Sequence, residues 1–241
     1  HYTGERIVVS AAGNIDHGQL VEAARQQLAG IKPGAGSDWA VPQFAGGSQL
    51  ASRPLDQTHI VLSFPGVGYR EDAIFAQQVL AGVLGGGMSS RLFQEVREKR
   101  GLCYAVFAFA SSYCDGGNVS IYAATSPDKA SQLMDVTSDV VLSMIEMIDD
   151  EEITRIKAQI KAGLVMSLES ASGRCDQIAR QFFAYNEVPD ITEFVAKVDQ
   201  VSAKDVRALA GNIFVYPKPA LAAVGELSGL ASYDQIAARF A

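Results

Sequence analysis

LGGGMSSRLFQEVREKRGLCYAV, residues 84–106, reads as a glycine-rich loop, a short amphipathic helix, a glycine stop and the start of a strand. Three consecutive glycines, Gly85, Gly86 and Gly87, leave the backbone free to adopt positive φ. Ser89 or Ser90 can cap the helix that comes next. Met88, Leu92, Phe93 and Val96 fall on one face of that helix. The other face carries Arg91, Glu95, Arg97, Glu98, Lys99 and Arg100. Arg91–Glu95 and Glu95–Lys99 are i,i+4 pairs, each worth about 0.2–0.5 kcal/mol. Basic residues crowd the last turn, where the helix dipole favours them. Gly101 stands where a left-handed residue ends a helix, with Leu102 as the hydrophobic contact after it. A strand is expected to open at Tyr104.

The consequence is geometric. Arg97 lies near the end of the helix, and Tyr104 comes seven residues later across a tight turn. A guanidinium and a phenol can therefore converge at one edge of a sheet, hold a peptide carbonyl and stabilise charge developing on it. The plainer alternative is a surface arginine in a charged helix beside a tyrosine packed on a sheet.

The stretch GGGMSSRLFQEVREKRGLCYAV resembles the signature of the second half of pitrilysin/insulinase-type zinc peptidases, in the style of the mitochondrial processing peptidase and its bacterial relatives. The likeness extends more weakly over nearly the whole chain. It implies that Arg97 and Tyr104 reach toward a zinc site in an N-terminal half and help bind the scissile carbonyl. It also implies that Gly85, Gly86, Gly87 and Ser89 border the bound peptide. The loop here is much shorter than the glycine-rich loop of the family's non-zinc processing subunit, and it can equally serve to let the helix pack closely. The loop lacks the Gly-Lys-Ser/Thr ending of a phosphate-binding loop, and no dinucleotide fingerprint comes after a strand.

The chain has 241 residues, enough for one large domain. Its formal net charge of −7 argues against nucleic acid or anionic membrane as a partner. No apolar run reaches the ~18–20 residues needed to span a bilayer. Cys103, Cys114 and Cys175 include no C-x-x-C pair and are odd in number, which suggests a reducing compartment, and the expected location is cytoplasmic. Cys103 beside Tyr104 could be a nucleophile, but with no histidine nearby in sequence it reads better as a small apolar strand residue.

Elsewhere the pattern is α+β, with a mixed, largely antiparallel sheet and helices packed on one face. Strands are expected at 6–13, 59–64, 105–114, 118–125 and 220–225, the middle pair joined around Asp115-Gly116-Gly117. Asp16 caps a first helix, and further helices are expected at 72–84, from Ser126-Pro127 onward, from Asp149 to about Leu168, after Ser172, at Asp190, at Ser202 and from Ser232. The Ser126 helix carries Leu133, Val136, Val140, Met144 and Met147 as its stripe, and the next helix Ile153, Ile156, Ile160 and Leu164. Asp149 with Glu152, Asp190 with Glu193 and Ser202 with Asp205 have capping-box spacing. Residues 32–57, rich in Gly, Pro, Ala and Ser, read as a linker that Trp39 and Phe44 pin to a surface.

The two ends of the chain resemble each other. IVVSAAGNIDHGQLVEAARQQL near the start and PALAAVGELSGLASYDQIAARF near the end align Gly13 with Gly225 and Ala23-Ala24-Arg25 with Ala237-Ala238-Arg239. The expected organisation is a closing strand–helix unit at 1–31, a linker at 32–57 and a zinc-free peptidase-like domain at 58–241. On that reading roughly 200 residues of a first half precede His1.

The family's metal motif is His-x-x-Glu-His on a helix. The histidines here are His1, His17 and His59, and none has that spacing. His17 reads as a capping-turn residue and His59 as an edge residue. The helix in the equivalent place offers Gln77 and Gln78 but no His or carboxylate. Asp149-Asp150-Glu151-Glu152 could pass for a cation site and reads better as acidic residues at a helix start. The chain itself is expected to bind no catalytic zinc and to hydrolyse nothing alone, the zinc belonging to the full-length enzyme. The expected partners are a peptide substrate and an N-terminal half or partner subunit bearing the zinc site, with a homodimer as a further possibility. The alternative is a non-catalytic partner or assembly subunit related to the core proteins of respiratory complex III.

Overall fold

Along β2 (Thr58–Gly66) every second residue turns inward, and Thr58, Ile60, Leu62 and Phe64 are buried. That period of two marks a strand with one covered face. The computed structural model describes residues 2–34 and 40–241; Trp39 lies outside them. In chain order the elements are α1 (His17–Gln27), β1 (Gly47–Ser52), β2, α2 (Ile74–Gly85), a π-helical turn (Phe93–Glu98), β3 (Ala105–Tyr113), β4 (Gly116–Thr125), α3 (Ala130–Glu146), α4 (Asp150–Ser167), α5 (Ala171–Tyr185), α6 (Ile191–Gln200), α7 (Ala203–Phe214), β5 (Ala220–Gly225) and α8 (Tyr233–Ala237). They form two compact units, one from His1–Val41 and Lys161–Phe194, the other from Pro42–Ile160 and Val195–Ala241.

The larger unit holds the sheet, in the order β1-β5-β2-β4-β3. β1 pairs parallel with β5, and the other pairings are antiparallel. The fold is thus the α+β architecture expected, with helices on one face of a mixed, largely antiparallel sheet. Phe64 meets Phe214 of α7 and Phe240 edge-on, with ring centroids 5.1 and 4.9 Å apart. Burying a side chain of that size contributes about 1.5–3 kcal/mol. α2 is apolar nearly all round, with Ile74, Val79, Leu80, Val83 and Leu84 buried, as a helix covered on both sides requires. Gln77, buried within it, is satisfied: its Oε1 accepts from Val67 N–H at 2.7 Å and its Nε2 donates to Ser112 Oγ at 3.0 Å.

Several local expectations are corrected. The stretch read as a linker contains β1, whose ladder partner β5 lies far away in sequence. Phe44 in the same stretch does pack, against Tyr216 at 5.6 Å. The hairpin turn is Cys114-Asp115, with Tyr113 paired to Gly116, so both glycines belong to β4. His59 is no edge residue: β2 pairs on both sides, and His59 Nδ1 lies 2.8 Å from Tyr122 Oη. In α3 the buried stripe is Leu133, Met134, Thr137, Val140, Val141 and Met144, while Met147 is exposed. Ser202 and Asp205 form the expected capping box, and Ser232 forms another with Gln235. Hydrogen bonds from Ser202 hold the Asp205 carboxyl below the usual carboxylate range. Asp190 instead accepts from Thr192 N–H.

In the smaller unit Asp16 caps α1 by accepting from Gln19 N–H at 2.9 Å. Ser170, not Ser172, caps α5. Ser10 Oγ donates to Cys175 O at 2.8 Å, and Cys175 Sγ to Ser10 O at 3.1 Å. The run 6–13 is no strand: Gly4–Arg6 make a 3₁₀ turn, and residues 7–12 join no ladder. The two repeat-like segments still share a positive-φ glycine, Gly13 at 132° and Gly225 at 135°, each before a helix capped by a side chain. Among the described residues no helix is long and apolar enough to cross a membrane.

Gly85 closes α2 against β3. A Cβ placed there would lie 2.2 Å from Ala108 N, whereas one on Gly87 meets nothing within 4 Å. Gly85→Ala is expected to lower the unfolding free energy by about 1–3 kcal/mol in urea titrations, as overpacking against backbone does. Gly87→Ala is expected to stay within about 0.5 kcal/mol.

Candidate functional site

Between α2 and β3 the chain makes a glycine loop and then the π-helical turn. Lys99 N–H bonds to Gln94 O at 2.9 Å, one residue further back than in an α-helix. The wider turn corrects the expected helical face. Leu92 and Val96 are buried, but Met88 is 75% exposed and Phe93 only partly covered. Gly101 takes the expected left-handed conformation at φ 57°. Its N–H bonds to Arg97 O at 2.9 Å, and Leu102 N–H to Val96 O at 3.0 Å. This is a helix-terminating pair widened by the extra residue. Tyr104 immediately precedes β3 rather than opening it.

Neither Ser89 nor Ser90 caps the turn. Ser90 is buried and donates its hydroxyl to Gly87 O at 2.6 Å. Gln94 Nε2 donates to Met88 O at 2.7 Å, and Arg155 to Ser89 O at 3.4 Å. Three loop carbonyls are thus occupied from inside the protein. None of Gly85, Gly86 and Gly87 uses positive φ. Gly85 is buried against β3, while Gly86, Gly87 and Ser89 are exposed.

Arg91 also departs from expectation. It forms no pair with Glu95 but a two-pronged one with Glu152 of α4, Nε to Oε1 at 2.8 Å and Nη2 to Oε2 at 2.6 Å. Its Nη1 donates to Ser143 Oγ at 3.2 Å. Glu152 also accepts from Asp149 N–H at 3.0 Å, the capping contact read from the spacing. Burial alone would raise the Glu152 carboxyl, yet the hydrogen bonds from Arg91 and from Asp149 N–H, with the charges of Arg91 and Arg155, hold it below its ordinary value. Glu95 instead takes Lys99 at 2.5 Å and Arg100 at 2.6 Å, whose hydrogen bonds lower its carboxyl too.

Arg97 and Tyr104 come together. The Arg97 guanidinium lies over the Phe93 ring at 4.5 Å and over the Tyr104 ring at 4.9 Å. Its contact with Glu98 is long, at 3.7 Å. Tyr104 is 77% exposed. Each cation–π contact at such a site is worth about 0.5–1 kcal/mol. The two rings flank a planar donor group that can meet a carbonyl oxygen or an oxyanion. Phe93 is the residue the sequence reading missed, although it sits at i−4 from Arg97. The Cys103 thiol is pushed up by burial, against the lowering effect of the Arg97 charge, the wrong direction for a nucleophile.

Among the described residues no group of three or more His, Cys, Asp or Glu is placed to hold a metal ion. Glu152 of the acidic run is engaged by Arg91. A cleft of about 700 Å³, lined by Asp72, Phe75, Lys197, Asp205 and Asn212 among others, opens at the other end of α2. By helix length that is roughly 18 Å from Gly85, and neither Arg97 nor Tyr104 lines it.

The family model described as Peptidase M16 inactive domain matches residues 1–160. The chain belongs to this family, the pitrilysin-type zinc peptidases. It is 34% identical over 215 residues to a Rickettsia felis protein named uncharacterized zinc protease, covering 89% of this chain and 52% of that one. A Mycobacterium tuberculosis protein named likewise is 37% identical over 225 residues, covering 88% and 50%. The chain thus spans about half the length of these relatives. Among solved structures, a peptidase M16 inactive domain from Pseudomonas fluorescens superposes with a TM-score of 0.79 at 21% identity, covering 91% of this chain and 53% of that one. A chain of complex III from Candida albicans superposes at 0.83 and 19% identity, covering 95% and 57%. At those identities the likeness is one of fold.

The Arg91–Glu152 pair generates a prediction with a definite sign. The folded carboxyl binds its proton less tightly than the unfolded one, whose ordinary value is 4.5. Its contribution is therefore complete above that value and is lost as pH falls through the lower folded range. Both side chains are mostly buried, at 17% and 16% exposure. Arg91→Met, which leaves the carboxylate without its partner, is expected to cost about 3–5 kcal/mol near neutral pH. Urea titrations at successive pH values should show the loss shrinking below pH 4.5.

Proposed function

We propose that this chain is the zinc-free half of a metalloendopeptidase, closing the catalytic chamber and positioning peptide substrate for hydrolysis at a zinc site carried by another half or a partner subunit. The observation that supports it most is the Arg97 guanidinium, held between the Phe93 and Tyr104 rings at an exposed edge. A phenol that is 77% in solvent contributes little to folding. The pair supplies N–H and O–H donors to a peptide carbonyl, and those donors matter most when negative charge gathers on its oxygen. The described residues do not fit a zinc ion, so no step is assigned to one. The names of the relatives, zinc proteases about twice as long, are consistent with the metal lying in the remainder.

The second reading, a subunit that serves assembly, draws on the resemblance in fold to a chain of complex III. It asks nothing of Arg97 and Tyr104, whereas the first needs both.

In the protein that carries both halves, Arg97→Ala and Tyr104→Phe are each expected to lower kcat by roughly 10²–10³. Zinc content, read by atomic absorption, should stay at the wild-type level. Unchanged turnover in both variants would abolish the assigned roles and leave the assembly reading.

A further inference from the structure

The face of the sheet opposite Ile60, Leu62 and Phe64 has a composition unlike the rest of the chain. Register sets Phe107, Tyr122, Val61 and Ala222 in one row across β3, β4, β2 and β5. The next row is Phe109, Ser120, Ser63 and Ala220, and the row on the other side is Ala105, Ala124, His59 and Val224. Asp, Glu, Lys and Arg make up 20% of the chain, yet none stands in these three rows. An open sheet face normally alternates toward charge and solvent.

This face also has relief. Phe107 and Phe109, 44% and 40% exposed, stand 5.9 Å apart by ring centroid, and Phe107 lies 4.9 Å from the Tyr122 ring. Tyr122 is tied down by His59 at 2.8 Å. Beyond this ridge lies a hollow of about 380 Å³, with Val61, Ser63, Ala220 and Ala222 among its lining residues and the Gly46–Gln49 stretch alongside. The floor is low because the β5 residues in these rows that line it, Ala220 and Ala222, are alanines, while Leu221 between them is buried. Aromatic rings beside small side chains make room for one bulky apolar group without any change of backbone.

We infer that this ridge and hollow form a subsite for a bulky apolar or aromatic side chain of an extended, uncharged peptide segment lying across the sheet. The occupant is argued from continuity. Phe107 is three residues along the chain from Tyr104, roughly 10 Å in extended backbone. A peptide whose carbonyl meets Arg97 and Tyr104 therefore reaches the ridge within three or four residues. The inference rests on the proposed role of that pair, and it adds a preference for the kind of side chain carried a few residues from the held carbonyl.

The test uses this chain and two blocked heptapeptides of glycine and serine, one with a central Phe and one with Ala in its place, titrated by NMR. The Phe peptide is expected to bind at least tenfold tighter and to shift signals of Phe107, Tyr122 and Val61. Ala222→Leu, which fills the hollow, and Phe107→Ser, which removes the ridge, should each reduce the ratio below about threefold. Equal affinities for the two peptides, or a ratio unmoved by either variant, overturns the subsite. Arg97→Ala separates the two readings: it should weaken both peptides alike and keep their ratio. No weakening by Arg97→Ala, with the ratio intact, counts against the carbonyl-holding role while leaving the subsite standing.

Discussion

The last residue of α2 touches β3 so closely that no side chain fits between them. With Gly85 against Ala108 N, the end of the helix is fixed relative to the strand. The chain must then leave the sheet, cross the exposed Gly86–Ser89 loop and return to β3 within about twenty residues. The π turn is the device that fits that path. Its extra residue per turn widens the coil, lets Leu92 and Val96 reach the core, and leaves Phe93 and Arg97 facing outward together.

Close packing at one point does not fix orientation, and the Arg91 contacts do. One guanidinium joins the segment to Ser143 near the end of α3 and to Glu152 at the start of α4. Buried ion pairs often contribute little net stability, because removing two charges from water offsets most of their attraction. Their geometric demand is stricter than that of an apolar contact. A two-pronged pair tolerates little rotation, so it restrains the turn that carries Arg97. The mostly buried arginine, six residues earlier, aims the partly exposed one.

Signals that were local in the sequence were legible. Ser202 with Asp205, the stop at Gly101, the alternation along β2 and the run 220–225 each involve neighbours within a few residues, and each stands where its local chemistry indicated. The nearness of Arg97 to Tyr104 belongs to the same class, since a seven-residue path through a tight turn restricts where the two can go. What was misread depended on partners distant in sequence. Glu95 was a legitimate i+4 partner for Arg91, and only the tertiary placement of α4 let Glu152 displace it. β1 hid in a glycine- and serine-rich stretch because its strand character comes from β5, about 170 residues later. Residues 6–13 had strand-like composition but no ladder to join. The π turn left no mark at all: the same residues satisfy a 3.6-residue period almost as well.

The exposures of the site residues carry a further argument. A tyrosine packed on its own sheet would bury most of its ring, and an arginine in a solvated helix would trail its stem along the surface. Tyr104 does the first only slightly, and Arg97 is drawn between two rings instead of into the surrounding carboxylates, with Glu98 no closer than 3.7 Å. The segment sets Glu95 and Glu98 against Arg91, Arg97, Lys99 and Arg100, and the better-placed carboxylate, Glu95, is taken by Lys99 and Arg100. A donor set against two rings, with 34% of its side chain in solvent and its contact to Glu98 as long as 3.7 Å, contributes little to folding. It is suited to an oxygen that arrives from outside, which is why the function proposed for this half is read from these two side chains and not from the fold.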